Sequence, residues 1–143
     1  MAGYEATVEK IFNLRKFGGM KLGLERITET CRQLGDPQKK YKIIHVAGSN
    51  GKGSTVTIIA SVLRAAGYNV GTYTSPHLSR FTERIAVNGK EITEKDVVRL
   101  FDEVWSIEAE EKPSFFEVTT AMAFKWFAEQ NVDFAVRLHT KQR

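Results

Sequence analysis

The stretch His45-Val46-Ala47-Gly48-Ser49-Asn50-Gly51-Lys52-Gly53-Ser54-Thr55 joins an apolar strand to a helix through a glycine-rich corner that carries one lysine. Lys42 to Val46 is β-branched and reads as a strand, while Ile58, Ile59, Val62, Leu63 and Ala66 recur at helical spacing from Ser54 onward. At such a corner the first N–H groups of the helix lack internal acceptors and sit at the positive end of its dipole, so they suit phosphate oxygens. Glycine lets the backbone approach closely, Lys52 supplies a point charge, and the hydroxyl of Ser54 or Thr55 is placed to meet a metal ion. The spacing departs from the general phosphate-loop pattern, because Gly53 intervenes between Lys52 and Ser54 and only two residues separate Gly48 from Gly51. A tight turn without a ligand also favours glycine; the strand-then-helix context is what selects the phosphate cradle.

Working outward, Tyr4 to Leu14 and Leu22 to Leu34 read as short amphipathic helices around a glycine-containing loop, Lys16 to Lys21. Gly35 and Pro37 are stop signals for the second helix. After the phosphate-loop helix, Gly67 ends it and Asn69 to Tyr73 forms a second strand, giving a βαβ unit with neighbouring parallel strands. Thr74-Ser75-Pro76-His77-Leu78 leaves that strand at its carboxyl end, the edge at which open α/β sheets bind ligands. Asn88-Gly89 predicts a hairpin between Glu83–Val87 and Glu91-Ile92, with Glu83 and Arg84 on its charged face. Thr93-x-x-Asp96 opens a helix to about Glu108, its buried stripe being Val97, Leu100, Phe101, Val104 and Trp105. A further helix starts at Ser114-Phe115-Phe116-Glu117 and runs through Phe127, and Val132 to Val136 is a third parallel strand, expected at the centre of its sheet. The expected fold class is therefore α/β: a phosphate-loop-containing parallel sheet with flanking helices.

Composition bounds the function. At 143 residues, 42% hydrophobic and 27% charged, the chain can bury a core of its own. The lone Cys31 excludes an internal disulfide and a cysteine zinc site, suits a reducing cytoplasm, and reads as packing beside Ile27 and Leu34. No secretory leader is recognisable, and no run approaches the about 18 apolar residues of a membrane span. The net charge is +4, but Arg137, Lys141 and Arg143 in the last seven residues supply most of the excess, so a basic face for nucleic acid is not expected.

Five ordered segments resemble folylpolyglutamate synthase and the bifunctional dihydrofolate synthase, members of the Mur ligase superfamily. They are Gly23-Leu24-Glu25-Arg26-Ile27, Asn50-Gly51-Lys52-Gly53-Ser54, Tyr73 to Leu78, Phe81-Thr82-Glu83-Arg84-Ile85 and Phe115-Phe116-Glu117. The odd lysine–glycine–serine spacing is what that family shows. The resemblance implies a Mur-ligase-like ATPase domain in which ATP and Mg2+ activate the carboxylate of a folate or dihydropteroate as an acyl phosphate, which the amine of L-glutamate then attacks. Carried over residue by residue, it implies nucleotide contacts at Gly48, Ser49, Asn50, Gly51, Lys52, Gly53 and Ser54. Lys52 and Ser75 take catalytic roles, Ser75 and Ser54 are metal ligands, and Phe115, Phe116, Glu117 and His77 meet the substrate, with phosphate as the other functional contact for His77. Each has a plainer rival: Ser75 as a turn residue, Phe116 as core, His77 as a solvated loop side chain, and Glu117 as the partner of Ser114 in a capping box.

Residues 1–136 are thus expected to be the N-terminal part of an ATP-binding ligase domain, and 137–143 an atypical polar tail. Arg137-Leu138-His139-Thr140 stands where the family has a glutamate that ligates a second magnesium, and the glutamate-binding C-terminal domain has no counterpart. That pattern reads as a truncation or a shifted reading frame, which puts the activity of the chain alone in question. The competing expectations are a non-catalytic ATP-binding module that associates with a partner, or self-associates, through an unpaired third-strand edge, and a Mur-type ligase for peptidoglycan precursors. The Phe115-Phe116-Glu117 helix and the Lys-Gly-Ser loop argue against the last.

Overall fold

The parallel strands are short and β-branched, and the helix that follows the first of them carries an apolar face, which it packs on the sheet. The structure is a computed structural model and describes residues 3–17, 25–47, 51–77, 79–108 and 113–138. In chain order the elements are α1 (Tyr4–Phe17), α2 (Glu25–Gln33), β1 (Lys42–Val46), α3 (Lys52–Ala65), β2 (Val70–Tyr73), β3 (Ile85–Val87), β4 (Lys90–Glu91), α4 (Glu94–Trp105), α5 (Phe115–Glu129) and β5 (Phe134–Leu138). Short 3-10 turns lie at Pro37–Lys39 and Phe81–Arg84. The chain divides into two units, one of residues 1–37 and 93–126, the other of 38–92 and 127–143.

The second unit holds the sheet, in the order β1-β5-β2-β3-β4. β1, β5 and β2 are parallel, whereas β3 and β4 add an antiparallel hairpin beyond β2. Two expectations change. The strands of the βαβ unit are not neighbours, because β5 lies between β1 and β2. For the same reason the third strand has no unpaired edge, since both sides of β5 are bonded. Burial explains the placement: Ala135 and Val136 are 1% and 0% exposed and suit a strand covered on both faces, while Lys42 and His45 of β1 are exposed and suit an edge. β5 also starts later than Val132. The Val132 N–H donates to the Phe127 carbonyl, and the Asn69 N–H donates to the Asp133 carboxylate at 2.8 Å, so both residues belong to the approach and the strand takes in Arg137 and Leu138.

One face of the sheet packs on α3 through Val46, Val70 and Val136 against Val56 and Ala60, with Ile44, Ile59, Leu63 and Leu138 at the margin. The predicted α3 stripe is rotated: Ile58 and Val62 are each 63% exposed, and Val56 and Ala60 take the buried positions. The hairpin forms where Asn88-Gly89 predicts it, with both residues at positive φ, 51° and 81°. Its first arm is shorter than expected, because the Glu83 carboxylate accepts the N–H groups of Ser79 and Arg80 and winds 81–84 into a 3-10 turn.

The first unit is helical. Thr93 caps α4, its hydroxyl accepting the Asp96 N–H at 3.1 Å as predicted. Val97, Leu100, Phe101 and Val104 are buried, but Trp105 is half-buried, stacked on Phe101 at 5.4 Å. The helix stops at Trp105 rather than Glu108, where the Ser106 hydroxyl turns back to the Glu103 carbonyl. Within α5, every residue from Glu117 to Phe124 is buried, the polar Glu117, Thr119 and Thr120 included.

Cys31 is 2% exposed on α2, which bears out its reading as packing. Burial, and secondarily the Asp36 charge, push its thiol from an ordinary 9.0 up to about 11. The unfolded thiol therefore loses its proton first, so stability is complete below pH 9 and falls as pH rises through 11. Urea unfolding from pH 8 to 11 should show this alkaline decline in the wild-type chain and a shallower one in Cys31→Ala; parallel declines would refute the linkage.

Candidate functional site

The carboxyl ends of β1, β5 and β2 define one edge of the sheet, and two of the sequence-predicted segments leave from it. β1 ends at Val46 and α3 begins at Lys52, with Gly51 as its N-cap at φ 72°. An L side chain is strained in that conformation, which is why glycine closes the corner. Gly51 offers no side chain to cap the helix, and the first amides of α3 are left for an external acceptor. Ser54 and Gly53 are exposed in this first turn. The Thr55 hydroxyl instead donates to the Gly51 carbonyl at 2.9 Å, so Ser54 is the better placed of the two hydroxyls to meet a ligand. Gly48, Ser49 and Asn50 lie outside the described residues.

β2 leads into Ser75 and His77, both half-buried, through a cis Ser75–Pro76 peptide. Here the structure corrects the sequence reading. Arg84, expected on a charged hairpin face, is 3% exposed, and its Nε donates to His77 Nδ1 at 2.8 Å. His77 is therefore held, not simply solvated; its ring also meets Phe81 edge-on at 6.3 Å. The Thr74 N–H donates to the Arg84 carbonyl at 2.9 Å, which fastens the other end of the turn. Periodicity gave no warning of Arg84, since Phe81, Thr82, Arg84, Ile85 and Ala86 are all buried; only its place in the Phe81–Ile85 family segment marked it.

No three His, Cys, Asp or Glu side chains converge as a metal cluster among the described residues. Ser54 is exposed and Ser75 half-buried, each a hydroxyl just beyond the carboxyl end of a parallel strand. At the centre of the edge stands a cation: Arg137 of β5, in register with His45 and Tyr73, its guanidinium 5.9 Å from the Tyr73 ring. Burial lowers its pKa, and Tyr73 opposes that effect.

The third predicted segment belongs to the helical unit. The Ser114 N–H donates to Glu117 Oε1 at 2.8 Å and the Glu117 N–H to Ser114 Oγ at 3.2 Å, a complete capping box at the start of α5. Arg26 Nη2 stands 3.4 Å from the same Oε1. Phe115 packs against Phe12 at 5.4 Å, and the Arg15 guanidinium covers its face at 4.2 Å. Phe116 is half-buried. The sequence reading missed Arg15 as a partner of Phe115, and Arg26 as a partner of Glu117. Glu117→Ala should cost about 2 kcal/mol, roughly half from the cap and half from the ion pair, the latter discounted because the Arg26 side chain is 27% exposed. Glu117→Gln keeps an acceptor for the Ser114 N–H and should recover about half; equal urea midpoints for the two variants would remove the capping contribution.

No family model matches the chain. It is 46% identical over 140 residues to the dihydrofolate synthase/folylpolyglutamate synthase of Bacillus subtilis, covering 93% of this chain and 32% of that protein. A solved bifunctional folylpolyglutamate synthase/dihydrofolate synthase with Mn, AMPPNP and L-glutamate bound superposes with a TM-score of 0.88 at 32% identity, covering 98% of this chain and 34% of the other. An FPGS–AMPPCP–folate complex matches with a TM-score of 0.80 at 34% identity, covering 96% and 35%. The chain spans about a third of the length of the relatives it matches. In sequence and in fold it is a member of the folylpolyglutamate synthase/dihydrofolate synthase family.

Proposed function

We propose that this chain carries the nucleotide-binding edge and part of the acid-substrate pocket of an ATP-dependent ligase that joins L-glutamate to the carboxylate of a folate or dihydropteroate. The observation that carries the reading is the left-handed Gly51 opening α3 directly beyond a parallel strand, in a chain whose relatives are these synthases. In the proposed reaction a substrate carboxylate oxygen attacks the γ-phosphorus and the bond to ADP breaks. The glutamate amine then attacks the acyl carbon, an amide forms, and phosphate leaves with the acyl oxygen. Lys52 and the first amides of α3 hold the transferring phosphoryl group, which is where charge must be neutralised. Ser75 and Ser54 would contribute hydroxyls to a magnesium ion, whose chemistry is to offset phosphate charge. Phe115, Phe116, Glu117 and His77 are assigned to the acid substrate.

The test is calorimetric titration of the purified chain with AMPPNP and magnesium, followed by an ADP-release assay with glutamate and either folate or dihydropteroate. Nucleotide binding and acid-dependent ADP release support the ligase reading, and absence of nucleotide binding by the folded chain defeats it. Binding without release favours the second reading, a nucleotide-binding module that works with a partner. The exposed Ile58 and Val62 are the observation on that side. A discrete complex in size-exclusion chromatography would support it further. As regards membranes, no described helix is long and apolar enough to cross one.

A further inference from the structure

Asn88-Gly89 closes the β3–β4 hairpin against the amino end of β2, at the sheet edge opposite the glycine-rich corner. The Asn88 carboxamide is held at both of its polar atoms: Oδ1 accepts the Val70 N–H at 2.9 Å, and Nδ2 donates to Asn69 Oδ1. Asn69 is itself fixed. Its Nδ2 donates to the carbonyls of Gln130 and Asn131 at 3.3 Å each, and its N–H donates to the Asp133 carboxylate at 2.8 Å. The Asn88 N–H donates to the Val70 carbonyl at 2.8 Å, so backbone and side chain of one residue both tie the hairpin to β2. Gly89 follows at φ 81° and is exposed.

An asparagine followed by glycine carries a nucleophile next to its own carboxamide, because glycine has no side chain to shield its backbone nitrogen. Once that nitrogen loses its proton to water it can attack the asparagine Cγ. The N–Cγ bond forms, the Nδ2 group leaves as ammonia with a proton from water, and a succinimide ring closes. A water molecule then opens the ring to aspartate or isoaspartate. Closure turns the carboxamide back onto its own chain, so both of the bonds that hold Asn88 must break first. We propose that Asn88-Gly89 is a guarded deamidation site: Val70 and Asn69 hold the carboxamide away from ring closure while the hairpin is docked on β2, and each opening of the hairpin exposes it to a one-way conversion. The product cannot be tied as before. A carboxylate oxygen facing Asn69 Oδ1 sets acceptor against acceptor, and the Asn69 Nδ2 is committed to the Gln130 and Asn131 carbonyls. This modification site is independent of the nucleotide-binding reading above.

The full chain is held at mildly alkaline pH, either folded or in guanidinium chloride, and then digested with trypsin. Cleavage after Arg84 and Lys90 isolates residues 85–90 from the other Asn-Gly pair, Asn50-Gly51, and the peptide's mass and its labelling by an isoaspartate methyltransferase read the conversion. Conversion in the folded chain should be about 30-fold slower than in denaturant, the factor for two hydrogen bonds of ordinary strength. It should stay flat at low denaturant, as for a local opening that exposes little surface. Asn69→Ala should speed conversion of the folded chain about fivefold, the share of one bond, and leave the denatured rate unchanged. Asn88→Asp should raise the unfolding equilibrium constant about tenfold in urea. Equal rates in the folded and denatured chain overturn the proposal, and that comparison needs no variant to fold. A folded rate that tracks global unfolding from the lowest denaturant also overturns it, as does a folded Asn69→Ala chain that converts no faster than wild type.

Discussion

Gly71→Ala is expected to lower the unfolding free energy by about 1–3 kcal/mol, the range for forcing a methyl into a filled site. An added Cβ at Gly71 would stand 2.6 Å from Phe127 Cδ1, 2.7 Å from Cε1 and 3.0 Å from Cγ. Neither side can give way easily. Phe127 is 1% exposed, and the Tyr41 ring meets it edge-on at 6.1 Å. Gly71 is paired with Ala135 on one side and Val87 on the other, so β2 cannot retreat without breaking two ladders. Loss of the glycine also restricts the unfolded chain, which favours folding by about 0.4–1 kcal/mol, too little to reverse the sign. Urea midpoints would measure the change. The companion Gly71→Ala/Phe127→Leu should lose less than the sum of its two single changes, because the smaller side chain makes room for the methyl. Strict additivity would show that the ring and the strand are not in contact.

Lys52→Ala is expected to weaken AMPPNP binding about 100-fold, the upper part of the range for a lost charge-assisted hydrogen bond. The position sets the expectation: Lys52 is the first residue of α3, immediately after the glycine that turns the chain, at the positive end of the helix dipole. Alanine suits a helix start, and the urea midpoint should stay within about 0.5 kcal/mol of wild type. Lys52→Arg keeps the charge but replaces a compact ammonium with a planar fork, and should restore only part of the affinity. Binding that survives Lys52→Ala unchanged would mean that any nucleotide sits elsewhere on the chain.

The sequence by itself determined the elements whose signals are local. β1 from Lys42 to Val46, the Gly51 corner, the Thr93 cap, the Ser114–Glu117 box and the Asn88-Gly89 turn are each set by backbone conformation or by bonds within a few residues, and each stands where the spacing placed it. The glycine-rich corner and the Phe-Phe-Glu segment were legible for the same reason, and the family could be recognised from them. Tertiary structure decided what depends on distant partners. β5 entered between β1 and β2 because Ala135 and Val136 tolerate burial on both faces, a competition among strands that no local window contains. The face of α3 that packs was set by the sheet beneath it, which took Val56 and Ala60 and left Ile58 and Val62 outside. Arg84 came to hold His77 because a 3-10 turn and the hairpin carry its guanidinium inward, where a buried charge must find an acceptor.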